Sequence, residues 1–521
     1  MGNDLIREKI ILDQRAGHEK TQILLEGDII VPDIKPDIAI ILQTDAKVCI
    51  DRTEVSADRV NFMGRLDIQV LYLARGSEKP VHSMSITANI DDFVNIDGAN
   101  VDMWVEVKPE LTNIDYRVLN DRKINYRGVV DIEIIVEATN THEIVVNIED
   151  TPSNQLLKTT LNVNRSIENK ADRFIVKDEV PIPSGKPNIR ELLQCSVNVS
   201  NKEIRIGNGK ITIAGELALN TLYKGESESS LIEFVENEIP FNGNLDIAGA
   251  TEDMMGEVFL TVQDQYVQVR PDNDGEERLL ELEISIGVVA KVHTQDNLEI
   301  LEDAYCINKE LDITKVPIRY PKLICRNKNQ APIKEIVTIG ESNPDILQIL
   351  HVKGKAFVED VKVIEDKVVA EGFIETDILY VAESDSTPLY AHKTILPYRQ
   401  VIETKGAMPH MNAVMHTSID HIGFNMLSGR ELEVRFLLSF ATKVVDEQEM
   451  NMITDIQLRD MDRTVLDNMA SMTVYVVQNG DNLWNIAKQY NTSMDDLLSL
   501  NDMAEHKIIP GQKLLILKKI G

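Results

Sequence analysis

The chain repeats one sequence unit three times, and this repetition constrains its fold more than any other feature. The segments KPDIAIILQ (35–43), KPNIRELLQ (186–194) and NPDILQILH (343–351) share the pattern Pro-Asx-Ile followed by aliphatic residues. In each copy a glycine follows the proline after 28 residues and a tyrosine follows it after 36. These residues are Pro36, Gly64 and Tyr72, then Pro187, Gly215 and Tyr223, then Pro344, Gly372 and Tyr380. Composition alone does not hold such a spacing three times, so the sequence predicts a triplicated domain.

Each copy is predicted to be mainly β. Runs such as KITIAGELALNTLY (210–223) and VVAEGFIETDILY (368–380) alternate apolar and polar residues with the period of half-buried strands. The glycine inside each run is expected to mark a bulge or a close backbone contact. The Pro-Asx-Ile segment is predicted to form one short helix, because proline suits a first helical turn. The predicted fold is therefore three repeated antiparallel β-sandwich or barrel-like domains, each with a short helix.

The domain boundaries follow from the repeat spacing and from changes in composition. We predict β domains at 1–165, 166–325 and 326–446, a linker at 447–472 and a C-terminal domain at 473–521. The segment EDTPSNQLLKTTLNVN (149–164) can either close the first copy or open the second. Residues 447–472 are polar, rich in Asp and Met and weakly patterned, which is typical of a tether. Each copy is long enough to hold its own core, so we expect each to fold independently.

Charge and composition exclude several classes of partner. The net charge is −31, and residues 473–521 are neutral, so the excess negative charge lies in 1–472 and disfavours binding to nucleic acid or an anionic membrane. The start, MGNDLIREKI, lacks the apolar stretch of a signal peptide, and no apolar run approaches the roughly 20 residues of a membrane-spanning helix. The four cysteines lack CxxC spacing. We therefore expect an intracellular protein in a reducing compartment, without direct membrane insertion.

The search for catalytic or metal-binding motifs favours none. The histidines of PHMNAVMHTSIDH (409–421) have no acidic or Cys partner at ligand spacing. In DNDGEE (272–277) a calcium loop would need a ligand at Arg270, so a hairpin turn is the better interpretation. The segment SGKP (184–187) lacks the earlier glycine of a phosphate loop. We therefore predict no catalytic residues, no metal and no cofactor, although an enzyme whose site is assembled from distant residues stays open.

The last 49 residues predict a strand–helix–helix–strand domain. VYVVQ (474–478) has the pattern of a strand, and Asn479-Gly480 follows it as a turn. A first helix would bury a stripe formed by Leu483, Ile486, Ala487 and Tyr490. A second helix would begin at Ser493, with Asp496 completing a capping box, and LLIL (514–517) would form the second strand.

This tail resembles a LysM domain over its whole length. The residues that carry the resemblance are Tyr475, Val477, Gly480, Asp481, Leu483, Trp484, Ile486, Ala487, Tyr490, Leu497, Asn501 and the stretch from Ile509 to Leu514. LysM domains hold N-acetylglucosamine glycans between two loops, and the resemblance places those loops at 479–483 and 505–511. Asn482 stands where the family usually has Thr or Ser. The partner-binding residues implied are Asn479, Gly480, Asp481, Asn482, Leu483, Trp484, Ile509, Pro510 and Gly511.

Trp484 lies off the apolar stripe of the predicted first helix. At about 100° per residue its side chain points roughly 110° away from the centre of the stripe. One interpretation is a ring folded over the edge of the core. The other is a partly exposed tryptophan that anchors a partner protein, and the two are compatible.

Three Pro-Asx-Ile…Gly…Tyr units followed by one LysM domain resemble the SipL family of spore-coat morphogenetic proteins, whose repeated units are called SPOCS domains. The resemblance implies a scaffold made in the mother cell and recruited to the outer forespore surface, where it helps coat basement proteins encase the spore. It also implies that the LysM domain binds the coat ATPase SpoIVA. The competing prediction is an adaptor that binds N-acetylglucosamine polymers of the cell wall or spore cortex.

Overall fold

The computed structural model describes residues 5–76, 80–148, 153–226, 232–382, 389–461, 470–503 and 505–517. The first unit has strands β1 Leu5–Ile30, β2 Ile38–Ser56, β3 Arg59–Ala74, β4 Val81–Asn95, β5 Trp104–Asn120 and β6 Lys123–Ile148. The second has β7 Asn154–Pro181, β8 Ile189–Gly207, β9 Lys210–Gly225, β10 Glu233–Asp246, β11 Met255–Pro271 and β12 Glu277–Cys306. The third has β13 Lys309–Thr338, β14 Ile346–Ile364, β15 Lys367–Ala382, β16 Leu389–Glu403, β17 Asn412–Met426 and β18 Glu431–Asp460. The tail has β19 Met472–Val476, helices α1 Leu483–Gln489 and α2 Met494–Leu500, and β20 Lys513–Leu517.

Each unit is built from two three-stranded antiparallel sheets. In the first unit the strand orders are β1-β6-β5 and β2-β3-β4, and the other two units repeat this pattern. Residues from both sheets, such as Ile68 of β3 and Ile132 of β6, are fully buried in one apolar cluster. Equivalent clusters lie inside the second and third units. The predicted mainly β fold with repeated antiparallel sheets and a small two-helix tail is confirmed.

The short helix predicted for the Pro-Asx-Ile segment is wrong, because the chain turns there and then enters a strand. Strand β2 begins at Ile38, two residues after Pro36. Register shifts occur between Ile38 and Ile40 and again between Ile41 and Gln43. The second and third units carry the same pair of shifts. Each β-bulge moves the following side chains to the other face, so the buried residues recur with a spacing that imitates a helix.

The motif glycine marks a very close backbone approach in the first and third units, as predicted, whereas Gly215 of the second unit lies against the ring of Phe241 as well as the Ser200 carbonyl. A Cβ on Gly64 would collide with the carbonyl oxygen of Cys49, and one on Gly372 with the carbonyl oxygen of Phe357. In both units a register shift in the partner strand lies beside this contact. Only a residue without a side chain fits where the bulged strand presses on its neighbour.

The spacing of 36 residues between proline and tyrosine has a physical cause. The hydroxyl of each tyrosine donates a hydrogen bond to the carbonyl oxygen of the proline, at 3.1 Å in the first unit, 3.0 Å in the second and 3.3 Å in the third. An arginine that the sequence analysis did not single out completes the arrangement. Arg122 donates to the Asp37 carboxylate at 2.7 Å, and Arg278 and Arg430 contact Asn188 and Asp345 in the same way. The Asx of the motif is therefore an arginine acceptor.

Two predicted boundaries and the linker need correction. Residues 165/166 fall inside β7 and residues 325/326 inside β13, because these long strands open the second and third units. The described part of the 149–164 segment thus belongs to the second unit. Strand β18 continues to Asp460, so the linker prediction is wrong for 447–460, which pairs with β13. Residues 462–469 of that prediction lie outside the described residues.

The three units share apolar clusters as well as having their own cores. One cluster contains Leu71 of the first unit, Leu222 of the second and Leu379 of the third, which occupy equivalent positions one residue before the motif tyrosine. Two further clusters each take residues from the paired long strands of all three units. Lys47 of the first unit donates to the carbonyl of Val262 in the second, and Lys355 of the third donates to the carbonyl of Leu111 in the first. Lys443 of the third unit donates to Glu257 of the second at 3.0 Å, so each unit contacts both of the others and the three close into a ring.

The described helices are α1 and α2, and neither has the length or the apolar character needed to cross a membrane.

Candidate binding site on the C-terminal domain

The C-terminal domain folds as the sequence predicts. Strands β19 and β20 pair antiparallel, and α1 and α2 lie between them in the chain. The side chain of Asn482 accepts a hydrogen bond from the backbone N–H of Asn485 at 2.7 Å and caps α1. Ser493 caps α2 by accepting from the N–H of Asp496 at 3.1 Å. Both caps satisfy helix N–H groups that would otherwise lack a partner.

Hydrogen bonds between strand ends bring the two candidate loops side by side. The N–H of Gly511 donates to the carbonyl of Val477 at 2.8 Å, and the N–H of Val477 donates to the carbonyl of Gln512 at 2.9 Å. Gly480 has φ +93 and Gly511 has φ +85, a conformation that favours glycine in each loop. The two loops therefore lie side by side at this end of the domain, and we call the surface that they present the LysM groove (479–483 and 505–511), after the site that the LysM resemblance implies.

Most of the predicted site residues reach solvent in the LysM groove. Asn479, Gly480, Asn482, Pro510 and Gly511 are exposed, and so is Ile509, with 66% of its surface accessible. Leu483 is the exception in this loop, because it is buried in the domain core.

The polar side chains of the first loop act mainly on the fold. Asp481 accepts hydrogen bonds from the Tyr475 hydroxyl and the Gln478 N–H, both at 2.7 Å. The bond to this carboxylate raises the pKa of the Tyr475 phenol. Because the side chains of Asp481 and Asn482 are hydrogen-bonded within the domain, a ligand in the LysM groove could contact mainly the exposed backbone and the apolar side chain of Ile509.

The expectation of a partly exposed Trp484 is wrong, because the rest of the chain covers its ring. Only 8% of the residue is accessible. Its indole Nε1 donates a hydrogen bond to Oδ2 of Asp303 at 2.9 Å. The ring meets that of Tyr305 edge-on, with 4.9 Å between centroids and an interplanar angle of 68°. Both partners belong to β12, so Trp484 joins the C-terminal domain to the second unit.

Further contacts with β12 surround this ring. Lys488 of α1 donates to both carboxylate oxygens of Asp303 at 2.7 Å, and the Tyr305 hydroxyl donates to the carbonyl of Thr492 at 2.7 Å. Ile307 packs in the same apolar cluster. Burial alone would raise the pKa of Asp303, but the bonds from Lys488 and Trp484 outweigh it and lower that pKa. Burial also raises the pKa of Tyr305. We call this set of contacts the dock.

Sequence analysis missed Asp303 and Tyr305, although a signal existed. Aligned through the strand register, residues 303–305 read Asp-Ala-Tyr in the second unit and residues 455–457 read Asp-Ile-Gln in the third. An aromatic residue that occurs in one copy of a repeat and not in another indicates a role other than forming the fold that the copies share.

The motifs examined for chemistry have local structural roles. DNDGEE is the hairpin turn between β11 and β12, where Asp272 accepts from the N–H groups of Asp274 and Glu276. Arg270 donates to Glu281 at 2.8 Å. The ring of His416 packs edge-on against Phe259, with centroids 5.0 Å apart. Within the described ranges, no three His, Cys, Asp or Glu side chains are grouped so that they could hold a metal ion.

Comparison with protein families identifies both kinds of domain. The family described as SipL, SPOCS domain matches residues 37–119, 188–270 and 345–427. The LysM domain family matches residues 475–517. Together the matches cover more than half of the chain, in the order three SPOCS domains and then one LysM domain.

Individual relatives match the LysM region alone. The chain is 43% identical over 49 residues to N-acetylmuramoyl-L-alanine amidase sle1 of Staphylococcus saprophyticus, covering 9% of this chain and 15% of the amidase. It is 44% identical over 48 residues to the probable endopeptidase p60 of Listeria welshimeri, covering 9% of each chain. It is 42% identical over 43 residues to the protein YkzQ of Bacillus subtilis, covering 8% of this chain and 57% of YkzQ. No solved structure matches the chain.

Proposed function

Because the chain belongs to the SipL family, with three SPOCS domains ahead of one LysM domain, we propose that it is a non-enzymatic adaptor in endospore formation. SPOCS and LysM domains are binding modules. In this proposal the LysM domain binds the coat ATPase SpoIVA, and the acidic three-unit body contacts other coat proteins. The adaptor acts in the mother cell at the outer forespore surface, where it helps the coat basement layer encase the spore.

The state of the LysM groove is the observation that supports this proposal best. One side of the domain is covered by the dock, while the groove loops remain exposed. Ile509 is an apolar residue that is 66% accessible, and Pro510 and Gly511, which follow it in the loop, are exposed as well. An exposed apolar residue on a fixed loop is suited to anchor a protein partner.

A second candidate function is binding of N-acetylglucosamine polymers. The observation that favours it is the LysM match, together with the 43% identity to a protein named as an N-acetylmuramoyl-L-alanine amidase. The groove is open to a glycan as well as to a protein. The two candidates differ in the partner that Ile509 recognises, and this difference can be measured.

The test uses the purified full-length chain against purified SpoIVA and against chitin oligosaccharides. We expect Ile509→Arg to weaken SpoIVA binding about tenfold or more, equivalent to ~1.4 kcal/mol, because a charge replaces the apolar anchor. The matched control is Ile336→Arg on β13, a residue that is 57% exposed in the third unit and should not affect binding. Unchanged SpoIVA binding by folded Ile509→Arg would contradict the proposal. If the chain instead binds chitin and not SpoIVA, the glycan function replaces it.

A further inference from the structure

The dock occupies a position that recurs in the ring of three units. Near the end of the last strand of each unit a β-bulge precedes an Asn or Asp, namely Asn147, Asp303 and Asp455. In the third unit this carboxylate, Asp455, lies 2.7 Å from Arg7 of the neighbouring first unit. For Asp303 of the second unit, the cation equivalent to Arg7 is Lys315 of the third unit, which lies 3.8 Å away. Lys488 of the LysM domain is closer, at 2.7 Å. The LysM domain thus takes a carboxylate that otherwise joins two units.

The second unit differs from the third in the residue that completes the dock. Tyr305 follows Asp303 by two positions, and the equivalent residue of the third unit is Gln457. Tyr305 provides both the ring that packs on Trp484 and the hydroxyl that bonds to Thr492. Glutamine offers no ring for this contact, so the third unit cannot reproduce the dock although it precedes the LysM domain directly in the chain.

The same stretch of β12 contributes to the contact among the three units. Leu301 and Ala304 are each 1% accessible and lie in the cluster that contains Ile148 of the first unit and Ile456 of the third. Asp303 and Tyr305 alternate with them and contact the LysM domain. One short segment therefore has the three-unit contact on one side and the LysM domain on the other.

We propose that Asp303 and Tyr305 form a dedicated docking site for the LysM domain, in which Trp484 and Lys488 are positioning residues and not contacts for an external partner. The dock fixes which side of the LysM domain faces outward and leaves the groove exposed. It also links the position of the LysM domain to the assembly of the three units, because both depend on residues 301–305. This inference holds whichever partner the groove binds.

Fluorescence of Trp484 tests the dock in the intact chain. The sequence has two tryptophans, so Trp104→Phe leaves Trp484 as the single reporter. We expect emission typical of a buried indole and protection from acrylamide quenching. Asp303→Lys should shift the emission to the red and remove the protection, because it places a third cation beside Lys488 and Lys315 and takes away the acceptor of the indole N–H. Glu299→Lys is the matched control, since Glu299 is an exposed residue of β12 paired with Lys158.

A second variant keeps the test decisive if Asp303→Lys does not fold, which circular dichroism would reveal. Lys488→Met removes the cation from a partly exposed helix position and should loosen the dock in the same direction, with greater quenching of Trp484. The proposal would be overturned if acrylamide quenched Trp484 in folded Asp303→Lys, or in Lys488→Met, no more than it does in the parent chain. An equal change in Glu299→Lys would overturn it as well, because it would show a general charge effect.

Discussion

Single glycines allow two strands to approach closely in the first and third units. At Gly372 the neighbouring backbone carbonyl of Phe357 occupies the space that a Cβ would need, and Gly64 meets Cys49 in the same way. A backbone atom cannot rotate away as a flexible side chain does, so relief would require separating two hydrogen-bonded strands. These positions therefore tolerate no side chain without loss of pairing.

We predict that Gly372→Ala destabilises the protein by ~3 kcal/mol, within the range of severe single substitutions. The measurement is thermal unfolding of the full chain followed by circular dichroism. Gly185→Ala serves as the control, because nothing lies within 4 Å of its Cβ position and the substitution should be nearly neutral. Equal melting of the two variants would show that the bulge can absorb a methyl group.

The stability of the dock should depend on pH, because the dock includes the ionised carboxylate of Asp303. Bonds from Lys488 and Trp484 lower the pKa of this carboxyl despite its burial. A carboxylate whose pKa is lower when docked stabilises the docked form above its usual pKa and loses that contribution as pH falls through the lowered value. Among the described residues, Lys315 and Asp496 are further charged groups that act on the dock.

We therefore predict that Trp484 in the Trp104→Phe chain loses its protection from quenching below about pH 4, near the ordinary pKa of Asp. Asp303→Asn should lack this transition, because it cannot ionise. Circular dichroism at each pH separates undocking from unfolding of the whole protein. A transition that persists unchanged in Asp303→Asn would assign it to another group.

At the scale of elements, periodicity predicted the strands correctly where their pairing is regular and failed where it is bulged. The alternating runs around Gly215 and Gly372 form β9 and β15 as expected. The Pro-Asx-Ile segment failed because two bulges within six residues change which side chains face inward. Trp484 was misjudged for a different reason. The helix pattern gives its angle on α1, but the covering residues come from a strand about 180 positions earlier in the chain.

Hydrogen exchange should distinguish strand from tether at residues 447–460. These residues form the end of β18 and pair with β13, so we predict that their amides are protected to a degree similar to residues 431–446. The measurement is exchange followed by mass spectrometry on the full chain, with the same peptides from the chain unfolded in denaturant as the fully exchanged reference. Complete exchange of 447–460 at the earliest time point would restore the linker interpretation.

At the scale of the whole molecule, the shared apolar clusters make each unit depend on the other two, because an isolated unit would expose the residues that it contributes to them. Each unit has its own core, which agrees with the size argument from sequence, but Leu71, Leu222 and Leu379 are buried in one cluster that takes residues from all three units. Repeat spacing reveals that a domain is copied, whereas it carries no information on whether the copies pack together. The body is therefore expected to behave as one cooperative ring that carries the LysM domain on its second unit.

Leu222→Asp, studied by hydrogen exchange of the full chain, tests this account most directly. Leu222 is 2% accessible and belongs to the cluster that joins the three units, so a buried carboxylate there should weaken all of them. We predict faster exchange in β3 of the first unit and β15 of the third as well as in β9, whereas Tyr266→Ser, an exposed site in the second unit, leaves all three unchanged. Faster exchange confined to the second unit would contradict a single ring and would describe three independent domains.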